Sequence, residues 1–171
     1  MSYDAAGVGR QEMFRNTREA ITFAKAAKFP LLSATMTGKN DSRLLFEPYT
    51  IRTVGTLRVG IIAVCDSNAY IPDINRVFVY SILPLKQALD PIIAKMKGAV
   101  DFIVVLSQMD EKADARLLAE YPAIDLVIEG SGNKALEKPA SSGRGYVAAP
   151  GSRGQYVGLL TLERDGASPV K

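Results

Sequence analysis

Five carboxylates fall at positions where chemistry is usually placed. Glu12 opens a helical pattern, and Asp66, Asp110, Glu111 and Glu129 each follow or end an apolar run of strand length. Oxygen donors grouped in this way would suit Mg²⁺ or Ca²⁺, which favour carboxylate and carbonyl ligands. The plainer reading is preferred: acids at strand ends are solvated, and Asp110 and Glu111 precede a helical pattern whose dipole favours negative charge at its start. Gly7-Val-Gly-Arg10 is similar to a phosphate-cradling loop, but it has no third glycine and lacks the strand-loop-helix setting of a dinucleotide motif, so it reads as a tight turn. The single cysteine, Cys65, ends an apolar run and reads as a small buried side chain rather than a reactive thiol.

The chain contains no histidine. Imidazole is the commonest metal ligand and the usual proton shuttle near neutral pH. Ser-His-Asp and Cys-His catalysis are therefore excluded within this chain.

The elements that must position these groups follow from pattern. At 171 residues and 47% hydrophobic content the chain suits one domain with a sizeable core. Its net charge of +3 comes from 21 basic and 18 acidic residues scattered along the sequence, without the clustered basic face that a nucleic-acid partner needs. The longest apolar stretches have strand length, too short to span a bilayer. No basic and apolar leader begins the chain, so no signal peptide is expected in it.

Gln11 to Lys28 carries Phe14, Ile21 and Ala24 at helical spacing and stops before Phe29-Pro30. Pro30 to Ser33, Tyr49 to Val54 and Thr56 to Cys65 read as strands, with a tight turn at Gly55. Leu83 to Met96 repeats apolar residues at helical spacing and is stopped by Gly98. Asp101 to Ser107 is a buried strand, Asp114 to Glu120 a short helix and Ile124 to Ile128 another strand. Tyr146 to Ala149 and Tyr156 to Glu163 complete the strands, separated by a turn-rich loop. This alternation predicts an α/β layered architecture whose ligands would meet the carboxyl ends of the strands.

Six segments, in order, resemble the metallophosphoesterase domain of the 5'-nucleotidase and 2',3'-cyclic-nucleotide phosphodiesterase family. Tyr3-Asp-Ala-Ala-Gly-Val-Gly-Arg-Gln-Glu12 is similar to the stretch ending Gly-Asn-His-Glu, and Phe29-Pro-Leu-Leu-Ser-Ala34 to the strand after it. Pro48-Tyr49 through Gly60-Ile-Ile-Ala63 resembles the next hairpin, and Asp101-Phe-Ile-Val-Val-Leu-Ser-Gln108 the strand ending Leu-Ser-His. Asp125-Leu-Val-Ile-Glu-Gly-Ser-Gly-Asn133 resembles the strand ending Gly-Gly-His-Ser-His, and Gly151-Ser-Arg-Gly-Gln-Tyr-Val-Gly158 the closing strand.

The resemblance implies a four-layer αββα fold, represented in part, with a mixed sheet and flanking helices and with residues 1–171 as a single partial domain. It also implies an ancestral site of two divalent metals that clamp a phosphate and activate water. The positions matching that site are changed. Arg10 and Gln11 stand where the family has its Asn ligand and catalytic His; Gln108, Ser131 and Asn133 stand where it has ligand histidines. No cofactor is therefore expected. Arg10 at a helix start is a possible anion contact without metal.

The family's earlier Asp-x-His and Gly-Asp motifs are not matched, so the chain is expected to correspond to the later part of the domain. On that basis a homodimer or partner subunit is expected to cover an apolar sheet face. The functional expectation is a non-catalytic scaffold or interaction module. The alternatives are a hydrolase of nucleotides or related phosphoesters completed by another segment or partner, and a metal-free phosphate or nucleotide binder. Family members are often periplasmic or on the cell surface.

Overall fold

A computed structural model of the chain describes residues 3–9, 12–13, 17–66 and 80–162. Its centre is a six-stranded sheet of β4 (Tyr49–Val54), β5 (Leu57–Cys65), β7 (Phe102–Gln108), β8 (Leu126–Glu129), β9 (Ala140–Ser142) and β10 (Gly145–Ala148), in the order β4-β5-β7-β8-β10-β9. The four central strands β5, β7, β8 and β10 run parallel, while β4 and β9 are antiparallel edges. Among the described residues, no helix is long and apolar enough to cross a membrane.

Most of the expected elements form near where their patterns place them. β4 and β5 make a hairpin in which Val54 pairs with Leu57, and Gly55 takes the left-handed conformation at φ 62° that a two-residue turn requires. Helix α2 (Leu85–Met96) buries Ala88, Leu89, Ile92 and Met96, and Gly98 beyond it has φ 75°. Pro91 lies within α2 on its exposed side. Helix α3 (Glu111–Glu120) begins earlier than its apolar spacing suggests because Asp110 caps it, accepting the Ala113 N–H at 2.8 Å. Helix α1 (Thr17–Ala26) is shorter than the pattern from Gln11 to Lys28: Glu12 and Met13 form a turn, and residues 10–11 and 14–16 lie outside the described residues.

Helices α2 and α3 cover one face of the sheet. Leu89, Ile92, Met96, Leu117 and Leu118 pack there against Ile62, Val64, Ile103, Val105 and Val127. Packing is tight at Gly145, where an added Cβ would stand 2.8 Å from the Ile124 carbonyl oxygen and 2.7 Å from Leu118 Cδ2. The carbonyl belongs to the backbone and cannot swing aside, so Gly145→Ala should cost about 1–3 kcal/mol of stability. Urea unfolding of the two proteins measures this, and an unchanged midpoint would contradict the packing described.

The other face is covered differently. At the carboxyl end of the sheet, β1 (Ala6–Gly7) pairs with β2 (Leu31–Leu32) and lies over it, with Gly7 close to Ala63 and Leu106. Beside it, Val8, Met13, Ala20, Leu31, Met36 and Phe46 enclose Cys65 in a second core. The remaining small sheet pairs β3 (Met36–Gly38) with β6 (Tyr80–Ile82). Elsewhere Val104, Leu126 and Ala148 are covered by Leu162, with Val59, Leu106 and Ile128 only half-buried.

The expected final strand from Tyr156 to Glu163 is not formed between 156 and 162; Glu163 lies outside the described residues. The pattern is that of a strand, but β10 is already flanked by β8 and β9. Chain leaving β10 therefore has no free edge beside it. It crosses the second sheet face unpaired.

Candidate functional site

The carboxyl ends of β5, β7 and β8 lie side by side. Cys65 is in register with Gln108, and Ser107 with Glu129. The loop after β1 reaches the same place, because a Cβ added at Gly9 would stand 2.7 Å from Gln108 Oε1. On its other side the Gln108 Nε2 approaches Gly130 more closely than any side chain at that position would allow. The Gln108 amide is thus wedged between two glycines, and both glycines are needed to admit it.

The loop after β8 folds back on itself. The Ser131 hydroxyl donates to the Met109 carbonyl, and the Gly132 backbone N–H donates to the Glu129 carboxylate. Glu129 is buried, and its pKa is raised by that burial and by the nearby charges of Glu111 and Asp110. Glu12 accepts the Gly9 N–H at 2.8 Å, closing the loop that precedes α1. Asn133 faces elsewhere, into a cleft of about 660 Å³ with Ile128, Leu136 and Ala148 on its walls.

Beneath this surface sits a group that pattern reading passed over. Asp114 is completely buried and accepts a 2.5 Å hydrogen bond from Ser107 Oγ, while the Met109 N–H donates to the same hydroxyl at 3.0 Å. Its other oxygen, Oδ2, has no hydrogen-bond partner among the described residues. Burial pushes the Asp114 carboxyl up to about 6, against the Ser107 bond and with the charges of Glu129, Asp110 and Asp66 adding to the rise. The signal was present in the sequence, since Asp114, Leu117 and Leu118 share one face of α3 by their spacing.

The structure therefore brings together Gln108 and Ser131 with Glu129, Gly9 and Glu12, and sets Asn133 apart. Arg10 and Gln11 lie outside the described residues, so the possible anion contact at Arg10 does too. Of the strand-end carboxylates, Asp110 caps a helix and Glu12 holds a loop. Among the described residues, no three His, Cys, Asp or Glu side chains converge to hold a metal ion.

Two divalent metals do not fit the donor set described. Gln108 offers a neutral amide confined by glycine backbone, and Ser131 is spent on a carbonyl. Cys65, which borders the site, has its thiol pKa raised, chiefly by burial, and is held near Thr35 at 3.3 Å.

No family model matches the chain. It is 29% identical over 184 residues to a 5'-nucleotidase of Bos taurus, an alignment covering 99% of this chain and 30% of that protein. It is 23% identical to YunD of Bacillus subtilis, an uncharacterised metallophosphoesterase, over 95% of this chain and 35% of the relative. The calcineurin-like phosphoesterase YfkN of Bacillus subtilis superimposes with a TM-score of 0.83 at 21% identity, over 99% of this chain and 61% of that structure. The chain thus spans about a third of the length of the two sequence relatives. It carries, in part, the mixed α/β fold of the 5'-nucleotidase-type metallophosphoesterases.

Proposed function

We propose that this partial metallophosphoesterase-like domain is a non-catalytic relative of the 5'-nucleotidases that serves as a scaffold or interaction module, with residues 1–171 acting as one domain. The observation that carries the reading is the wedged amide of Gln108. A two-metal hydrolase needs an open space at the strand ends in which both ions and a water meet the phosphate. Here the Gln108 side chain lies between Gly9 and Gly130, while the hydroxyl of Ser131 turns inward to the Met109 carbonyl. An amide also binds divalent metal weakly compared with imidazole.

The domain on this reading uses no metal cofactor and works in an assembly, either as a homodimer or with a partner subunit. The test combines metal analysis with turnover. Purified chain incubated with Zn²⁺ or Mn²⁺ and then desalted should retain no stoichiometric metal, and hydrolysis of nucleoside monophosphates should not rise above the metal-free blank. Two retained ions per chain, or a metal-dependent turnover lost in Gln108→Ala, would replace this reading with that of a nucleotide or phosphoester hydrolase.

A further inference from the structure

Three residues beneath the strand ends are shut off from water: Ser107 and Met109 are each 1% exposed and Asp114 is 0% exposed. One chain of hydrogen bonds joins them. Ser107 Oγ donates to Asp114 Oδ1, the Met109 N–H donates to Ser107 Oγ, and the Met109 carbonyl accepts from the Ser131 hydroxyl. The Gly130 N–H adds a second tie by donating to the Ser107 carbonyl at 2.8 Å. The inner face of α3 is thus linked, through the turn after β7, to the loop after β8 that confines the Gln108 amide.

Asp114 suits this place only while it carries a proton. Its Oδ2 is buried with no hydrogen-bond partner among the described residues, so a negative charge on the carboxyl would be met there by Ser107 alone. The charged groups that act on it are Glu129 of β8, Asp110 at the start of α3 and Asp66 after β5, all of the same sign. Glu111 in turn acts on Glu129. The two bases of α3, Lys112 and Arg116, are exposed on its outer side.

We propose that Asp114 is a proton-operated latch on the strand ends: protonated, it holds them closed, and its ionisation is relieved by admitting water, which frees the turn after β7 and the loop after β8 together and uncovers Gln108. The two loops move as one because Ser107 and Met109 bond to both sides. The sign follows from burial. The closed carboxyl is pushed up to about 6, whereas a side chain open to water has the ordinary value of 3.8. Opening is therefore least favoured below about pH 4, gains about tenfold per pH unit up to about pH 6, and levels off above it. This latch sets which surface the domain presents, and it stands whether or not the domain is catalytic.

Amide hydrogen exchange on the full chain, corrected for the intrinsic pH dependence of exchange, tests the latch. The Met109 and Gly130 amides should lose protection by about tenfold per pH unit between about pH 4 and pH 6, and they should open ahead of Val104 and Val105 in the middle of β7. Asp114→Asn should remove that slope. Asp110→Asn keeps a side chain that caps α3 while deleting one neighbouring charge, so its slope should end at a lower pH. Protection at Met109 and Gly130 that is constant with pH, that is lost only together with Val104 and Val105, or that keeps its slope in Asp114→Asn would overturn the proposal.

Discussion

Leu89→Ala should lower the free energy of unfolding by about 2–5 kcal/mol, the range for truncating a buried leucine that leaves a cavity. Leu89 is fully buried at the middle of α2, where it joins Ile62, Ile103 and Val105 of the sheet to Leu117 and Leu118 of α3. The sheet below is built of parallel strands whose backbones cannot shift together to fill the hole, so collapse of the site is limited. Since a domain of this kind has only about 5–15 kcal/mol in total, such a loss is a large fraction of it. Urea unfolding monitored by circular dichroism would show the midpoint displaced at constant slope. A change below about 1 kcal/mol would mean that α2 packs less closely than described.

The second large effect depends on pH. Asp114 in the folded chain holds its proton up to about pH 6, whereas the unfolded side chain has an ordinary value of 3.8. The folded state therefore binds a proton that the unfolded state has already lost. The stability this group contributes is complete below about pH 4 and disappears as pH rises through about 6, amounting to at most about 3 kcal/mol. Asp114→Asn removes the titration while keeping an oxygen that accepts from Ser107. Relative to the parent protein, the variant should gain stability steadily between about pH 4 and pH 7. The charged groups that act on Asp114, namely Glu129, Asp110 and Asp66, are all acidic and push the same way. Denaturant midpoints measured across that range decide the matter, and a variant-to-parent difference independent of pH would refute it.

The central strands were legible because both their faces are apolar. Residues 59–65 and 102–106 read as near-continuous hydrophobic runs, as strands in a covered parallel sheet must. α2 was legible from its apolar spacing and the glycine after it. What pattern could not supply was the partner of each strand. Tyr156 to Leu162 satisfies every local rule for a strand, but pairing is settled by the order β8-β10-β9, which no window of sequence contains.

The same limit governs the site. That Gln108 and Ser131 replace imidazoles is visible in the sequence. That one is wedged between Gly9 and Gly130 and the other turned to a carbonyl depends on loops brought together by the sheet register. Asp114 was overlooked because a charged residue near a helix start is ordinarily a solvated one. Its burial follows from its place on the inner face of α3, one turn before Leu117 and Leu118.

The hairpin of β4 and β5 also orders events in time. Val54 meets Leu57 across a two-residue turn, a closure that takes on the order of 1–10 μs. Val59 must wait for Phe102, which arrives only after the intervening chain, with α2, has been gathered in. Closing that longer loop costs entropy before any contact repays it. β5 is thus aligned by a local neighbour before its distant one arrives. The slow step of assembly then becomes the docking of β7 onto an edge already straightened, with β8 and β10 following in the order in which they lie in the chain.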